Sequence, residues 1–260
     1  MRYKNKVIES GDVIEVYQYE NYVLTGKDKK SKASGGGGRA TMDEDERAKR
    51  DRMNEERASR RAKQNLRRLI NANIGKYGET SKFLTLTFKE NVQDLEYANA
   101  EFKKFVQRLN YKVFGKTSGL KYVCVVEFQG RGAVHYHVIF FNMPYVPVNE
   151  VAEVWGHGFV KLNKIDEVDN VGAYVVKYMG KDFDPDDDPG GGGKKRRDKG
   201  KKRYFASRGL IKPKERVVNE KELNELVARL APAKVFESQF ENEHLGKITY
   251  IQYNMRRSNV

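Results

Sequence analysis

The clearest hydrophobic patterning lies in the middle of the chain. FLTLTF (83–88) alternates apolar and small polar residues, the period of a half-buried strand. Residues 94–114 carry Leu95, Ala98, Phe102, Phe105, Val106 and Leu109 on one side of a helical wheel. KYVCVVEF (121–128) and AVHYHVIFF (133–141) read as strands joined by the turn QGRG. Residues 147–155 begin with Pro147 at a first helical position and stop before Gly156, which predicts a helix. A strand is predicted at 159–165 and a further helix at 169–181.

The flanks pattern differently. Residues 12–24 hold two short β-like runs with a polar turn expected at Glu20-Asn21. Residues 42–73 read as one long charged helix whose apolar stripe (Leu66, Leu69, Ile70) comes only at its end. Residues 202–210 read as a strand running into a turn, 219–230 as a helix, and 234–240 and 247–254 as strands. The glycine runs at 35–38 and 190–193 read as flexible loops. The order predicts an α+β fold, a central antiparallel sheet with helices packed mainly on one face. Three regions are expected: 1–80 with strands, glycine-rich loop and basic helix; 81–215 as the core; and 216–260 completing the core's domain.

Composition narrows the partners. Fifty Lys and Arg against 36 Asp and Glu give a formal charge of +14, which favours a polyanion, nucleic acid first. Arg60, Arg61, Arg67 and Arg68 on the long helix, and Arg208 in the turn after 202–207, are candidate phosphate contacts. A solvated helix with internal ion pairs fits the same arginines. No apolar run approaches the roughly 18 residues of a membrane span, and the N-terminus lacks a secretory apolar stretch, so no membrane partner is expected. Cys124 is the only cysteine, which excludes an intrachain disulfide and a cysteine-rich zinc finger and suits a reducing cytoplasm.

Two clusters carry candidate chemistry. His135 and His137 are two apart on a strand, so both imidazoles face one side. If the hairpin turn centres on Arg131, Glu127 lies directly opposite His135 on that side, with Cβ atoms about 4.5–5.5 Å apart. A glutamate in a run as apolar as VCVVEF needs a partner, and a metal ion shared with the histidines would supply one. Two imidazoles and one carboxylate leave positions open for water or phosphate and suit Mn2+ or Mg2+. Cys124, Tyr136 and Val138 should face the opposite, helix-covered side. The second cluster is GAYVVKYMGK (172–181), where Tyr174 with Lys177 and Tyr178 with Lys181 repeat Tyr-x-x-Lys at helical spacing. A lysine beside a phenol favours phenolate. Taken alone, the segment reads equally as an amphipathic helix with two core tyrosines and solvated lysines. His157 is read as a loop residue, and Trp155 and Phe159 as core.

EFQGRGAVHYHVIFFN, followed by WGHGFVKL, GAYVVKYMGK and KRYFASRGLIKP, resembles the His-hydrophobic-His (HUH) replication initiators of rolling-circle plasmids and single-stranded DNA phages. FLTLTF resembles their first motif, and the likeness spans about residues 81–215. Tyr136 departs from the plainly apolar middle position of the histidine pair. The resemblance implies nicking of single-stranded DNA at a replication origin, with a metal on Glu127, His135 and His137. It implies Tyr174 as leading nucleophile, Tyr178 as the second, and Lys177 and Lys181 beside them. Host helicase and polymerase in a bacterial cytoplasm are the implied partners. Histidines preceding tyrosines separate the chain from conjugative relaxases. Two alternatives stand beside this reading: a two-tyrosine transposase of the same class, and a non-catalytic single-strand-binding module, which needs exposed aromatics on its sheet.

Overall fold

A computed structural model describes residues 2–25, 43–78, 81–165, 170–176 and 204–257. In chain order the elements are β1 (Arg2–Ser10), β2 (Val13–Leu24), α1 (Glu44–Asn73), β3 (Lys82–Thr87), α2 (Leu95–Phe114), β4 (Tyr122–Phe128), β5 (Val134–Phe140), α3 (Val148–Trp155), β6 (Val160–Lys164), α4 (Val171–Val176), β7 (Tyr204–Ala206), β8 (Lys214–Val217), α5 (Glu220–Leu230), β9 (Lys234–Asn242) and β10 (Gly246–Asn254). The fold is α+β, built on two antiparallel five-stranded sheets. The chain divides into two compact units, one of residues 1–61 and 212–260 and the other of 62–211, with the boundary inside α1.

In the 62–211 unit the strand order is β6-β3-β5-β4-β7. Leu84, Leu86, Cys124, Val126, Tyr136 and Val138 form one face and pack with α2 and α3, through Phe102, Phe105, Val151 and Trp155. The other face is apolar at one end only. There Phe83, Val123, Val125 and Ile139 pack with Leu66 and Ile70 of α1 and Val171 and Val175 of α4. Helices therefore cover part of both faces, since leaving that apolar end in water would forfeit its burial. Asp94 caps α2 by accepting from the Glu96 and Tyr97 backbone N–H groups.

In the other unit the order is β8-β1-β2-β10-β9. Val7, Val16, Ile251 and Tyr253 pack with Leu223, Leu226 and Leu230 of α5. Residues 214–254, expected from the sequence to complete the central unit, pair instead with β1 and β2. Two expectations change here. Residues 13–24 form one strand, and Glu20-Asn21 sits at a register shift against β1 rather than at a turn. Both residues are occupied by the β9–β10 turn: the Glu20 carboxylate accepts from the Lys247 N–H, and the Asn21 N–H donates to the Leu245 carbonyl. β1 and β8 lie in lysine-rich stretches whose alternation is too weak to read.

Candidate functional site

The β4–β5 hairpin sets the geometry. Gly132, at φ +82°, donates its N–H to the Gln129 carbonyl and closes the turn around Arg131. The register then pairs Glu127 with His135 and Val125 with His137. On the other side of β5, Thr87 pairs with His135 and Thr85 with His137. Glu127, His135 and His137 therefore share one face, while Cys124, Tyr136 and Val138 lie on the opposite, helix-covered face. Tyr136 is fully buried there, and its hydroxyl donates to Asn99 Oδ1 at 2.8 Å.

All three chemical side chains are buried. The Glu127 carboxylate accepts from His137 Nε2 at 2.5 Å. Thr85 Oγ1 lies 3.3 Å from His137 Nδ1, so with Nε2 donating, the hydroxyl is the donor to the second ring nitrogen. His135 Nε2 is buried and has no hydrogen-bond partner among the described residues. Burial holds His135 below its ordinary pKa; the Glu127 charge opposes this, and His137 and Arg131 reinforce it. The ring is thereby kept neutral, the form in which imidazole ligates a metal.

The donor set fits a divalent cation, with one orphaned buried nitrogen, a second imidazole and a carboxylate on adjacent positions. Among the described residues no three His, Cys, Asp or Glu side chains are arranged as a ready metal-ligand group. Glu127 and His137 are turned toward each other, so an ion would have to take the place of the bond between them.

Tyr174 stands over the same face. Phe83 stacks on His137 with ring centroids 5.8 Å apart and planes 9° apart, and Tyr174 meets Phe83 edge-on at 6.0 Å. Tyr174 is 42% exposed, so the phenol is open to a ligand. The start of α4 is fixed by α1. Asn71 Oδ1 accepts the Gly172 N–H at 3.0 Å, and Asn71 Nδ2 donates to Asn170 Oδ1, which also accepts the Ala173 N–H. Gly172 is needed at this crossing because a Cβ there would lie 2.4 Å from the Arg67 carbonyl oxygen. Lys177, Tyr178 and Lys181 lie outside the described residues.

The arginines separate. Arg60 and Arg61 are exposed and belong to the other unit, with Arg60 4.0 Å from Glu56. Arg67 is half-buried at the α4 crossing, and Arg68 is buried, so it does not offer its charge to solvent. Arg208 is exposed, and its carbonyl accepts from Lys121 Nζ. His157 pairs with Glu101 at 2.9 Å beside Trp155 and Phe88, away from the histidine face. Trp155 is core, but Phe159 is 65% exposed. Pairing of Leu86 with Val160 puts Lys161 beside Thr85 on the histidine face, and the Phe159 carbonyl accepts from Thr87 N–H and Oγ1. Lys161 and Arg131 are exposed cations near the histidines that motif reading passes over. The alternation of FLTLTF already pointed to Thr85 and Thr87.

Among the described residues no helix is long and apolar enough to cross a membrane. Residues 81–183 match the family model of the replication-associated protein ORF2. The matched span contains Glu127, both histidines and both Tyr-x-x-Lys units, and it does not distinguish a subtype. No curated protein and no solved structure shows significant similarity to the chain.

Proposed function

We propose, taking the replication-associated ORF2 family of residues 81–183 as the premise, that this chain nicks and rejoins single-stranded DNA to initiate rolling-circle replication through a covalent tyrosine link. The observation that carries the reading is one side-chain stack: Tyr174 edge-on to Phe83, Phe83 flat on His137, and His137 bonded to Glu127 beside the orphaned nitrogen of His135.

Glu127, His135 and His137 would hold Mn2+ or Mg2+. When bound, such an ion supplies Lewis-acid polarisation of a phosphate. The chain's own groups do the rest. Tyr174 Oη forms a bond to phosphorus as the bond from phosphorus to the 3′-oxygen breaks. The phenol loses its proton, and the 3′-oxygen gains one to leave as a free 3′-hydroxyl. The DNA 5′-phosphate stays on the tyrosine, so the bond is conserved for rejoining. Thr85 and Glu127 hold both nitrogens of the His137 ring. Phe83 sets the height of Tyr174 above that ring. Lys177 and Lys181 would offset charge on the phosphate, and Tyr178 would serve the second transfer. Single-stranded DNA at an origin is the substrate, and host polymerase and helicase act on the nicked product.

The test is a single-stranded origin oligonucleotide incubated with the protein and Mn2+, followed by denaturing electrophoresis. A covalent protein–DNA band is expected from the wild type. Tyr174→Phe should lose most of the first cleavage, and Tyr178→Phe mainly the transfer step. A wild-type rate of adduct in the double variant would place the nucleophile elsewhere.

A further inference from the structure

The second sheet carries a feature that the nicking chemistry does not use. One of its faces is packed with α5. On the other, an aromatic row crosses three strands. Tyr17 stacks on Tyr19 with planes 11° apart and centroids 6.3 Å apart. Tyr250, directly opposite Tyr17, lies 5.0 Å from it, and Phe236 lies 6.0 Å from Tyr250. The register puts Phe240 on the same face, opposite Ile248. Phe236 is 52% exposed and Phe240 49%, on a face whose far end (Ser10, Val13, Glu15) is buried.

Cations accompany the rings. Lys6 Nζ stands 5.4 Å from the Tyr17 ring centre, and Arg2 and Lys4 stand 5.0 and 5.1 Å from that of Tyr22, itself half-exposed. The nearby carboxylates are engaged. Glu15 is buried and accepts from the Tyr250 hydroxyl, and Glu215 lies 3.8 Å from Lys6. Flat rings at strand spacing with positive charge beside them complement stacked bases carrying phosphates. A second copy of the same face would set these cations against one another.

We propose that this face is a binding platform for single-stranded DNA, with bases stacked on Tyr17, Tyr19, Tyr250 and Phe236 and phosphates met by Lys6, Arg2 and Lys4. It rests on the nicking function only for the choice of DNA as ligand. The chain then has two separate contacts with its substrate, one that reacts and one that holds.

The experiment uses the full chain in EDTA, so that no cleavage intervenes. The probe is a fluorescein-labelled oligodeoxythymidylate of about 16 nucleotides, the upper end of site sizes for single-strand-binding folds. Phe236→Thr with Phe240→Thr keeps strand propensity at two exposed positions. Because one base stacked on an aromatic is worth about 5- to 150-fold in affinity, binding should weaken at least about tenfold, while adduct formation at saturating origin oligonucleotide stays at the wild-type level. Circular dichroism checks the fold. Photo-crosslinking of a 5-bromodeoxyuridine oligonucleotide to wild type should label peptides from 13–24 and 234–254. Unchanged affinity in this variant and in Tyr17→Leu overturns the platform. So does equal affinity for a duplex, tighter binding of oligouridylate, or crosslinks confined to 81–183. Loss of a dimer with DNA binding intact, seen by sedimentation, also overturns it. If no form of the protein makes an adduct and the variant still binds weakly, the nicking reading fails and the platform stands.

Discussion

The two sheets are alike in architecture and opposite in where they keep their polar and aromatic groups. In the sheet of β3–β7, Glu127, His135 and His137 are withdrawn from water between apolar neighbours, and only the Tyr174 phenol reaches solvent. In the sheet of β1, β2 and β8–β10, the aromatic row lies on a face with its outer rings half-exposed. Each arrangement suits one task. Charge development at a phosphate is stabilised most where surrounding dipoles are fixed and water is excluded. Stacking a passing base needs rings open to solvent and tolerates loose geometry. The comparison teaches that affinity and reaction can be carried by different sheets of one chain and removed separately.

The sharpest way to break that division is His135→Ala with His137→Ala. It should abolish the covalent adduct, as EDTA should for the wild type, yet leave most single-strand affinity, because phosphate contacts and stacking supply it. Full nicking by the double variant, with EDTA inert, would remove the metal from the proposal. Next in size is Gly172→Ala. Its Cβ would meet the Arg67 carbonyl at 2.4 Å and Asn71 Oδ1 at 2.8 Å, so α4 must move. A displacement near 1 Å costs on the order of a hundredfold in rate. Single-turnover cleavage should fall by about that factor with oligonucleotide affinity unchanged. A wild-type rate would mean that the α1–α4 crossing does not position Tyr174.

The smallest effect lies on the covered face. The Glu101 carboxyl is held below its ordinary value first by Lys104 and further by His157, against burial. A depressed carboxylate contributes stability above its unfolded pKa and loses it as pH falls through the folded value. Glu101→Gln should therefore flatten the acid side of the urea-midpoint profile below about pH 4.5. The change should stay under about 1 kcal/mol because Lys104 is largely exposed, and nicking at neutral pH should not change. An acid limb as steep as the wild type's would assign that slope to other carboxylates.

What was legible in the sequence was local. One tight turn fixes the partner of every residue in its hairpin, so the Glu127–His135 pairing follows from QGRG and the period of two. α2, α3 and α5 could be read because apolar spacing and terminal residues such as Asp94, Gly156 and Asn219 lie within the helix or beside it. The partner of Glu127 was not legible. The sequence pointed to a metal, whereas the carboxylate meets His137, and which of two same-face imidazoles it meets depends on side-chain torsions. The second sheet was hidden for a different reason. β1 pairs with β8, some 200 positions later, and RYKNKVIES offers only Val7 and Ile8 as a core signal. Arg68 and Phe159 were misplaced because a helical wheel and an apolar letter do not say which side of an edge is covered.

The pairing of β1 and β2 with β8 and β10 has a consequence for biosynthesis. Residues 62–211 form a continuous stretch whose strands find one another during translation, as domains fold in order of emergence. β2 leaves the ribosome early and must wait for β10, made more than 200 residues later. Until then the β1–β2 hairpin exposes two unpaired edges and its tyrosines, a template for pairing with other nascent chains. Translation stalled after residue 211 would release a folded nuclease-like unit trailing an adhesive hairpin. Premature termination is therefore expected to cost the cell through aggregation before it costs it through lost replication.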